Sequence, residues 1–569
     1  MRVLGIYDSH NAGASLIVDG KVVAAIEEER LTRNKIEFGF PSNSINEVLR
    51  ITGLGWEDVD AIAVPGLCDP PPWFRWKTSF FKFRRQIDLW WRIQYAVWRL
   101  IFSFRKILLV RRIEEYLNKL VVAKKISNAH DFPSNRIFLV DHHVCHAASA
   151  YRTSGLGRAL VITIDGSGDG YSTVVYKGGD GNLEFIAGAS EEASLGKLYS
   201  NVTLGLGFKK LSDEGKVMGL AACGNPDLFY PIIDEAIRVV DIDRLHFEKK
   251  YDLVGNGFAR LIKNEYLKRF TREDIAAATQ RKFEETVIAI VKHFVDKTGI
   301  RHVVFAGGAA SNVLMNQKVR ELDIVDGLYV FPNMGDGGLS AGAALEVCYW
   351  QTHKNSISKI DDVYWGPEYS NEEIREAISR NGLKADWVDK IDDKIAGLIC
   401  EGYLVARVQG RMEFGPRALG NRSVLALPSS REVVERINKL FKRDEFMPFA
   451  PSILEDCAPV YLEKYSYSPF MVETFSVKRE FLDKFPAVIH VDGTLRPQVV
   501  RREVNPGYWN IIKKVGDISS FYIVLNTSYN MHGEPIVCSP QDAINTFLAS
   551  GIDYLALGNY LLSGNQVYV

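Results

Sequence analysis

Apolar positions along this chain fall into short runs, and two of those runs share one design. Val3-Leu4-Gly5-Ile6-Tyr7 stops on Asp8, turns through Ser9-His10-Asn11-Ala12-Gly13 and resumes as Ala14-Ser15-Leu16-Ile17-Val18. Leu160-Val161-Ile162-Thr163-Ile164 stops on Asp165, turns through Gly166-Ser167-Gly168-Asp169-Gly170 and resumes at Thr173-Val174-Val175-Tyr176. Apolar runs of this length, bounded by turn residues, predict β-hairpins. In each, an Asp at the end of a buried strand faces a turn of small residues, where a carboxylate can hold a metal or orient a phosphate. Two readings stand: two ordinary hairpins with Asp in their turns, or a duplicated α/β core.

The rest of the pattern orders itself around these hairpins. A strand is predicted at 137–140, then a His-rich helix, then the second hairpin. Residues 227–300 read as mostly helical, with a long amphipathic stretch at 276–297. Strand His302–Phe305 enters Ala306-Gly307-Gly308-Ala309-Ala310-Ser311-Asn312, strand Gly327–Phe331 enters Pro332-Asn333-Met334-Gly335-Asp336-Gly337-Gly338, and a helix follows over 339–350. Polar residues 352–362 form the best linker, so the expected domains are 1–355 and a separate α/β domain over 363–569. The repeated hairpin is similar to the duplicated core of the actin and sugar-kinase fold, which works on nucleotide or phosphate in the cleft between its halves.

Composition changes this picture in one place. The 569-residue chain carries a net charge of −1, which asks for no nucleic acid. Yet residues 73–125 hold 14 Lys/Arg against three acids, and 13 aromatics. Trp91, Tyr95, Trp98 and Phe102 make an aromatic stripe, while Arg85, Arg92, Arg99 and Lys106 make a basic one. This reads as a helical insertion at about 70–130. It either docks on an anionic membrane surface or acidic partner, or packs its aromatic face on the domain or on a homodimer mate. Seven scattered Cys without a CxxC pair, no signal-like start and no apolar run of about 20 residues predict a cytoplasmic protein.

Several constellations carry candidate chemistry. His142 and His146 lie four apart at the start of the predicted helix, on one face, as a metal pair requires. No Glu follows the first His, which weighs against a metallopeptidase. Asp165 and Asp336 at strand ends can complete the site, and two His with carboxylates suit Fe(II), Mn(II) or Zn(II) better than Mg(II). The Gly307-Gly308 turn and Asn312 offer a phosphate cradle at a helix start, and Lys216 sits in a loop of small residues where it can reach an anion. Each has a bland alternative as close packing or a cap. The C-terminal part places Arg411, Arg417 and Arg422 in a Gly/Pro-rich turn. It adds Lys442 and Arg443, Arg496, and a strand ending Asn526-Thr527-Ser528-Tyr529-Asn530. Arginines give bidentate recognition of phosphate-like oxygens.

Taken in order, HHVCHAASA at 142–150, GKVMGLAA at 215–222, GPRALGNRS at 415–423, PFAPS at 448–452 and LNTSYN with GEPI at 525–536 resemble the NodU/CmcH family of O-carbamoyltransferases along the whole chain. The resemblance implies an actin-like ATPase-type N-terminal domain and a YrdC-like C-terminal domain that makes carbamoyl-adenylate from carbamoyl phosphate and ATP, with Mg(II) accompanying the nucleotide. It implies carbamoyl transfer to an acceptor hydroxyl beside an iron-type metal held by His142, His146, Asp165 and Asp336. Asp8 and His10 would sit at the transfer site, with His10 as general base. Arg417, Arg422, Lys442, Arg496, Asn526, Ser528 and Asn530 would line the adenylate site. Two departures stand out: Met447 replaces the Arg usual before PFAPS, so that one cationic contact is either missing or supplied by Arg443, and the first turn reads SHNAG. A small-molecule kinase or ATPase, or a nucleotide sensor without turnover, is the alternative.

Overall fold

The computed structural model describes residues 1–76, 108–354, 356–443 and 449–564. The stripes read at 85–106, and Met447, fall outside them.

Both hairpins form, and each gains a third strand. Strands β1 (Arg2–Tyr7), β2 (Gly13–Val18) and β3 (Lys21–Glu27) make an antiparallel meander, with β4 (Ala61–Pro65) and β5 (Ile137–Val140) added parallel on the other side of β1. The second half repeats this. After β6 (Arg158–Gly168), β7 (Tyr171–Gly179) and β8 (Asn182–Ser190), the chain builds a small hairpin, β9 (Ile237–Asp241) with β10 (His246–Lys249). It then returns as β11 (His302–Ala306) and β12 (Gly327–Val330), parallel to β6. The strand orders are β3-β2-β1-β4-β5 and β8-β7-β6-β11-β12, the same topology twice. The duplicated α/β core of the actin and sugar-kinase type is therefore present.

The helix Leu339–Thr352 and the helix His142–Thr153 fill the space between the two sheets, and they cross closely. A Cβ on Gly342 would stand 1.9 Å from Cys145 O, so only glycine permits that crossing. Residues 227–300 are mostly helical as expected, in Pro226–Ala236, Gly257–Asn264 and Arg272–Thr298, and the β9–β10 hairpin interrupts them, its Phe247 and Ile237 burying against the second core. The amphipathic helix itself starts earlier than its apolar stripe, at Arg272, because Thr271 caps it through Asp274 N.

Beyond 363 a third, eight-stranded mixed sheet runs Asp386–Trp387, Tyr560–Ser563, Tyr554–Leu557, Val405–Val408, Arg422–Ala426, Ile523–Ser528, Ala450–Leu454, Gln498–Val500 from edge to edge. It is bound to the first half by buried polar contacts. Arg30 makes two hydrogen bonds to Glu27 Oε2 (3.0 and 2.8 Å) and donates to Gly415 O (2.9 Å), while Asn333 Nδ2 donates to Glu27 Oε1 (3.1 Å). Arg33 donates to Pro535 O and Ile536 O at 2.7 Å. Asn316 Nδ2 reaches Val472 O at 2.7 Å. A buried guanidinium satisfied by both a carboxylate and a carbonyl fixes orientation more than it adds stability.

Candidate active site

The first cluster is assembled from three segments, a helix start, a strand bulge and a turn. Asp141 caps the His-rich helix, accepting from His143 N and Val144 N (2.9 and 3.1 Å), so His142 and His146 stand one turn apart on the same face. Their rings lie 4.8 Å apart between centroids. Asp165 projects where the β6–β7 ladder slips, between Ile164 and Gly168. It is therefore inside the strand at a bulge, where the extra residue re-aims the side chain. A Cβ on Gly168 would stand 2.2 Å from the His142 ring, so the bulge needs glycine to approach the helix. Asp336 comes from the short turn Asp336–Gly338 ahead of the helix Leu339–Thr352.

These four side chains meet. His142 Nε2 is 3.2 Å from Asp165 Oδ2 and 3.8 Å from Asp336 Oδ1, and His146 Nε2 is 3.4 Å from Asp336 Oδ1. One ligand atom from each lies within 4.8 Å of all the others. Both ring nitrogens of His146 are buried without a hydrogen-bond partner. Two imidazoles and two carboxylates so placed fit a divalent transition-metal ion. Burial works against the charge of Asp165, but the His142 hydrogen bond and the surrounding imidazoles hold its carboxyl well below the usual range. Burial works against the His142 imidazolium, yet Asp336 and Asp165 raise it to about 10. His143 points away, to Thr163 Oγ1 at 2.8 Å, and burial with the two neighbouring imidazoles pushes it down to about 3.

His10 borders this cluster. Its Nδ1 is 3.3 Å from Asp336 Oδ2, the same oxygen that accepts from Tyr7 OH at 2.8 Å. Tyr7 and Phe38 pack edge-on against its ring, which is 33% exposed. Asp8 does not join them. Its Oδ1 lies 3.3 Å from Arg75 Nε, and Arg75 donates to Pro65 O and Gly66 O (2.6 and 3.1 Å). The expectation that Asp8 faces the metal or the acceptor is corrected: β1 turns it onto a buried arginine at the root of the insertion.

The Gly-rich turn is also corrected. Gly307 N donates to Met334 O (2.7 Å) and Gly308 N to Asp165 Oδ1 (2.9 Å), so the second N–H positions the Asp165 carboxylate, the first ties the turn to the segment before Asp336, and neither is open to phosphate. Asn312 caps the helix Val313–Arg320 through Met315 N and exchanges two hydrogen bonds with Gln280 (3.0 and 2.8 Å). Lys216 pairs with Asp213 at 3.2 Å. Sequence reasoning missed Asp169, which accepts from Leu67 N, Cys68 N, Asp69 N and His142 N at 2.6 to 3.0 Å and staples the His-bearing helix to the 66–69 loop. Its signal was a non-glycine residue at φ 49 between two glycines.

The second cluster lies on the third sheet. Arg417 and Arg496 are neighbours. Burial lowers Arg417 to about 10, and burial together with Arg417 holds Arg496 far below the ordinary guanidinium range. Arg496 Nε is enclosed without a hydrogen-bond partner. Arg443 donates to Thr527 Oγ1 and Ser528 O (2.6 and 2.5 Å), and its Nη2 lies 3.5 Å from Ser528 Oγ; burial lowers it to about 10 as well. Among the described residues no carboxylate acts on Arg417, Arg443 or Arg496. Asn526 anchors the floor, donating to Ala418 O, Ser452 Oγ and Gln498 Oε1 (3.2, 3.1 and 3.0 Å), and the buried Oδ1 atoms of Asn526 and Asn530 lack partners. Two expected members do not belong. Lys442 is the exposed left-handed cap of the helix Arg431–Phe441, and Arg443 turns inward in its place. Arg422 uses its guanidinium on the carbonyls of Pro367, Gln409, Gly410, Asn421 and Cys538, which makes it a structural clamp.

The chain is similar to known proteins along most of its length. Residues 2–345 match the family described as Carbamoyltransferase N-terminus, and residues 396–564 match Carbamoyltransferase C-terminus. Uncharacterized protein MJ1051 of Methanocaldococcus jannaschii is 35% identical over 99% of both chains. Nodulation protein NolNO of Sinorhizobium fredii is 34% identical over 97% of this chain and 79% of its own. A solved structure described as full-length HypF in the phosphate- and nucleotide-bound form superposes with a TM-score of 0.33 at 14% identity, over 63% of this chain and 56% of that one.

Proposed function

The chain belongs to the carbamoyltransferase family and is a carbamoyltransferase, and from that premise we propose an ATP-dependent O-carbamoyltransferase that works through carbamoyl-adenylate. The observation that carries this reading is the set of uncompensated cations on the third sheet. Partly buried guanidiniums with no carboxylate partner among the described residues await an anion, and a nucleotide with carbamoyl phosphate would supply it.

In this reading water cleaves carbamoyl phosphate to carbamate and phosphate. A carbamate oxygen attacks the α-phosphorus of Mg(II)–ATP, and pyrophosphate leaves. Arg417, Arg443 and Arg496 balance the charge that develops on the phosphates, and Ser528 and Asn530 orient them. The carbamoyl group then passes to a hydroxyl of a small-molecule or glycan acceptor with AMP as leaving group. With Nδ1–H turned to Asp336, His10 keeps Nε2 free to take the hydroxyl proton. An Fe(II)-type ion held by His142, His146, Asp165 and Asp336 would polarise the carbamoyl oxygen.

The test is pyrophosphate release from ATP by the purified protein with Mg(II) and Fe(II), with and without carbamoyl phosphate. Release that requires carbamoyl phosphate is expected. ADP and phosphate would instead support the kinase or ATPase reading, and binding without turnover the sensor reading.

A further inference from the structure

The helix Leu108–His130 has two opposite faces, and one of them is built into the site. Asn118 Nδ2 donates to Leu67 O at 2.9 Å, and Val122 and Ile126 are buried. Leu67 belongs to the loop whose N–H groups hold Asp169, which in turn receives the N–H of His142.

The other face has no partner among the described residues. Leu109, Ile113, Tyr116, Leu117 and Leu120 follow helical spacing along about three turns, and are 67, 51, 62, 45 and 48% exposed. Contiguous large apolar side chains in such a stripe mark an interaction surface. The charges beside it share one sign: Arg112 and Lys119 are exposed. The helix's two acids lie elsewhere, Glu114 buried and Glu115 Oε1 3.0 Å from Arg111 Nε.

We propose that this face docks onto an anionic lipid surface. The apolar side chains enter the boundary between headgroups and acyl chains, Tyr116 keeps its hydroxyl at the headgroups, and Arg112 and Lys119 meet lipid phosphates. A second copy is the poorer occupant, because a two-fold contact would set these cations against their own counterparts. Docking in this way would tie the metal-site end of the molecule to the membrane plane.

The experiment is sedimentation of the full chain with vesicles of phosphatidylcholine alone, and of phosphatidylcholine mixed with phosphatidylglycerol, at low and high salt. The protein is expected to sediment with the mixed vesicles only and to be released by salt. Replacing Ile113→Gln with Leu117→Gln should cut partitioning by about tenfold or more, and Lys119→Gln alone by about fivefold. Both variants should melt with the wild type by circular dichroism, since the side chains face solvent. The proposal fails if the wild type stays in the supernatant with anionic vesicles, or if the double variant binds as the wild type does. It also fails if light scattering shows a dimer that the double variant dissolves while the wild type ignores vesicles.

Discussion

The His/Asp cluster between the first two sheets and the arginine cluster on the third are both partly enclosed, yet they handle charge in opposite ways. In the first, two carboxylates and two imidazoles balance one another's charge, and Tyr7 and Gly308 donate hydrogen bonds to the carboxylates. In the second, Arg417 and Arg496 are neighbours and Arg443 holds the end of the strand at Thr527 and Ser528, with no carboxylate paired to any of them among the described residues. A compensated cluster is held together by its own members. An uncompensated one raises the free energy of the empty protein and lowers that of the anion complex. The contrast separates a site that positions a reacting centre from one that waits for a charged substrate.

The largest effects should come from breaking the compensated cluster. His146→Ala is expected to remove bound metal and take acceptor carbamoylation below detection, while carbamoyl-phosphate-dependent pyrophosphate release survives. Metal analysis and the two assays on one preparation would show it, and loss of both activities together would argue against separate sites. Arg496→Met probes the other side. Pyrophosphate release should fall about 10²- to 10³-fold, yet the denaturant midpoint should equal or exceed that of the wild type, because an uncompensated cation has gone. Inorganic phosphate should raise the melting temperature of the wild type and leave the variant unmoved. A variant clearly less stable than the wild type would show that Arg496 has a counter-ion after all.

His10→Asn sharpens the boundary between the two clusters. Transfer should drop about 10²- to 10⁴-fold, as for loss of a general base, with pyrophosphate release unchanged. Normal transfer would remove His10 from the chemistry. The smallest effect is expected at Asn312→Ala. Loss of the cap and of the Gln280 exchange should cost roughly 1–2 kcal/mol in urea unfolding, with no change in the KM for ATP. A raised KM would restore the phosphate role that the geometry removes.

Much of the first cluster was legible because it is written in local spacing. A capping Asp followed by His at four-residue separation places both imidazoles on one helical face wherever that helix packs. The second cluster was legible only in residue type. Arg417 and Arg496 stand where basic residues were expected, but Lys442 and Arg443 are adjacent in sequence, and the left-handed cap at Lys442 decides which turns inward. Arg75 could not be assigned a role from the aromatic, basic run that contains it, since its partner, Asp8, lies in a distant strand.

Periodicity and turn chemistry by themselves determined the repeated hairpins, the His-bearing helix and the cation-rich C-terminal turns, because each depends on neighbours along the chain. Only the tertiary structure decided which polar groups remained available for chemistry. Gly308 and Asn312 were candidates until long-range contacts used their hydrogen-bonding groups within the protein, and Asp169 was an ordinary turn residue until four N–H groups converged on it. The physical reason is that a buried polar group must find a partner. That partner is chosen by the packing of distant segments, which no local pattern encodes.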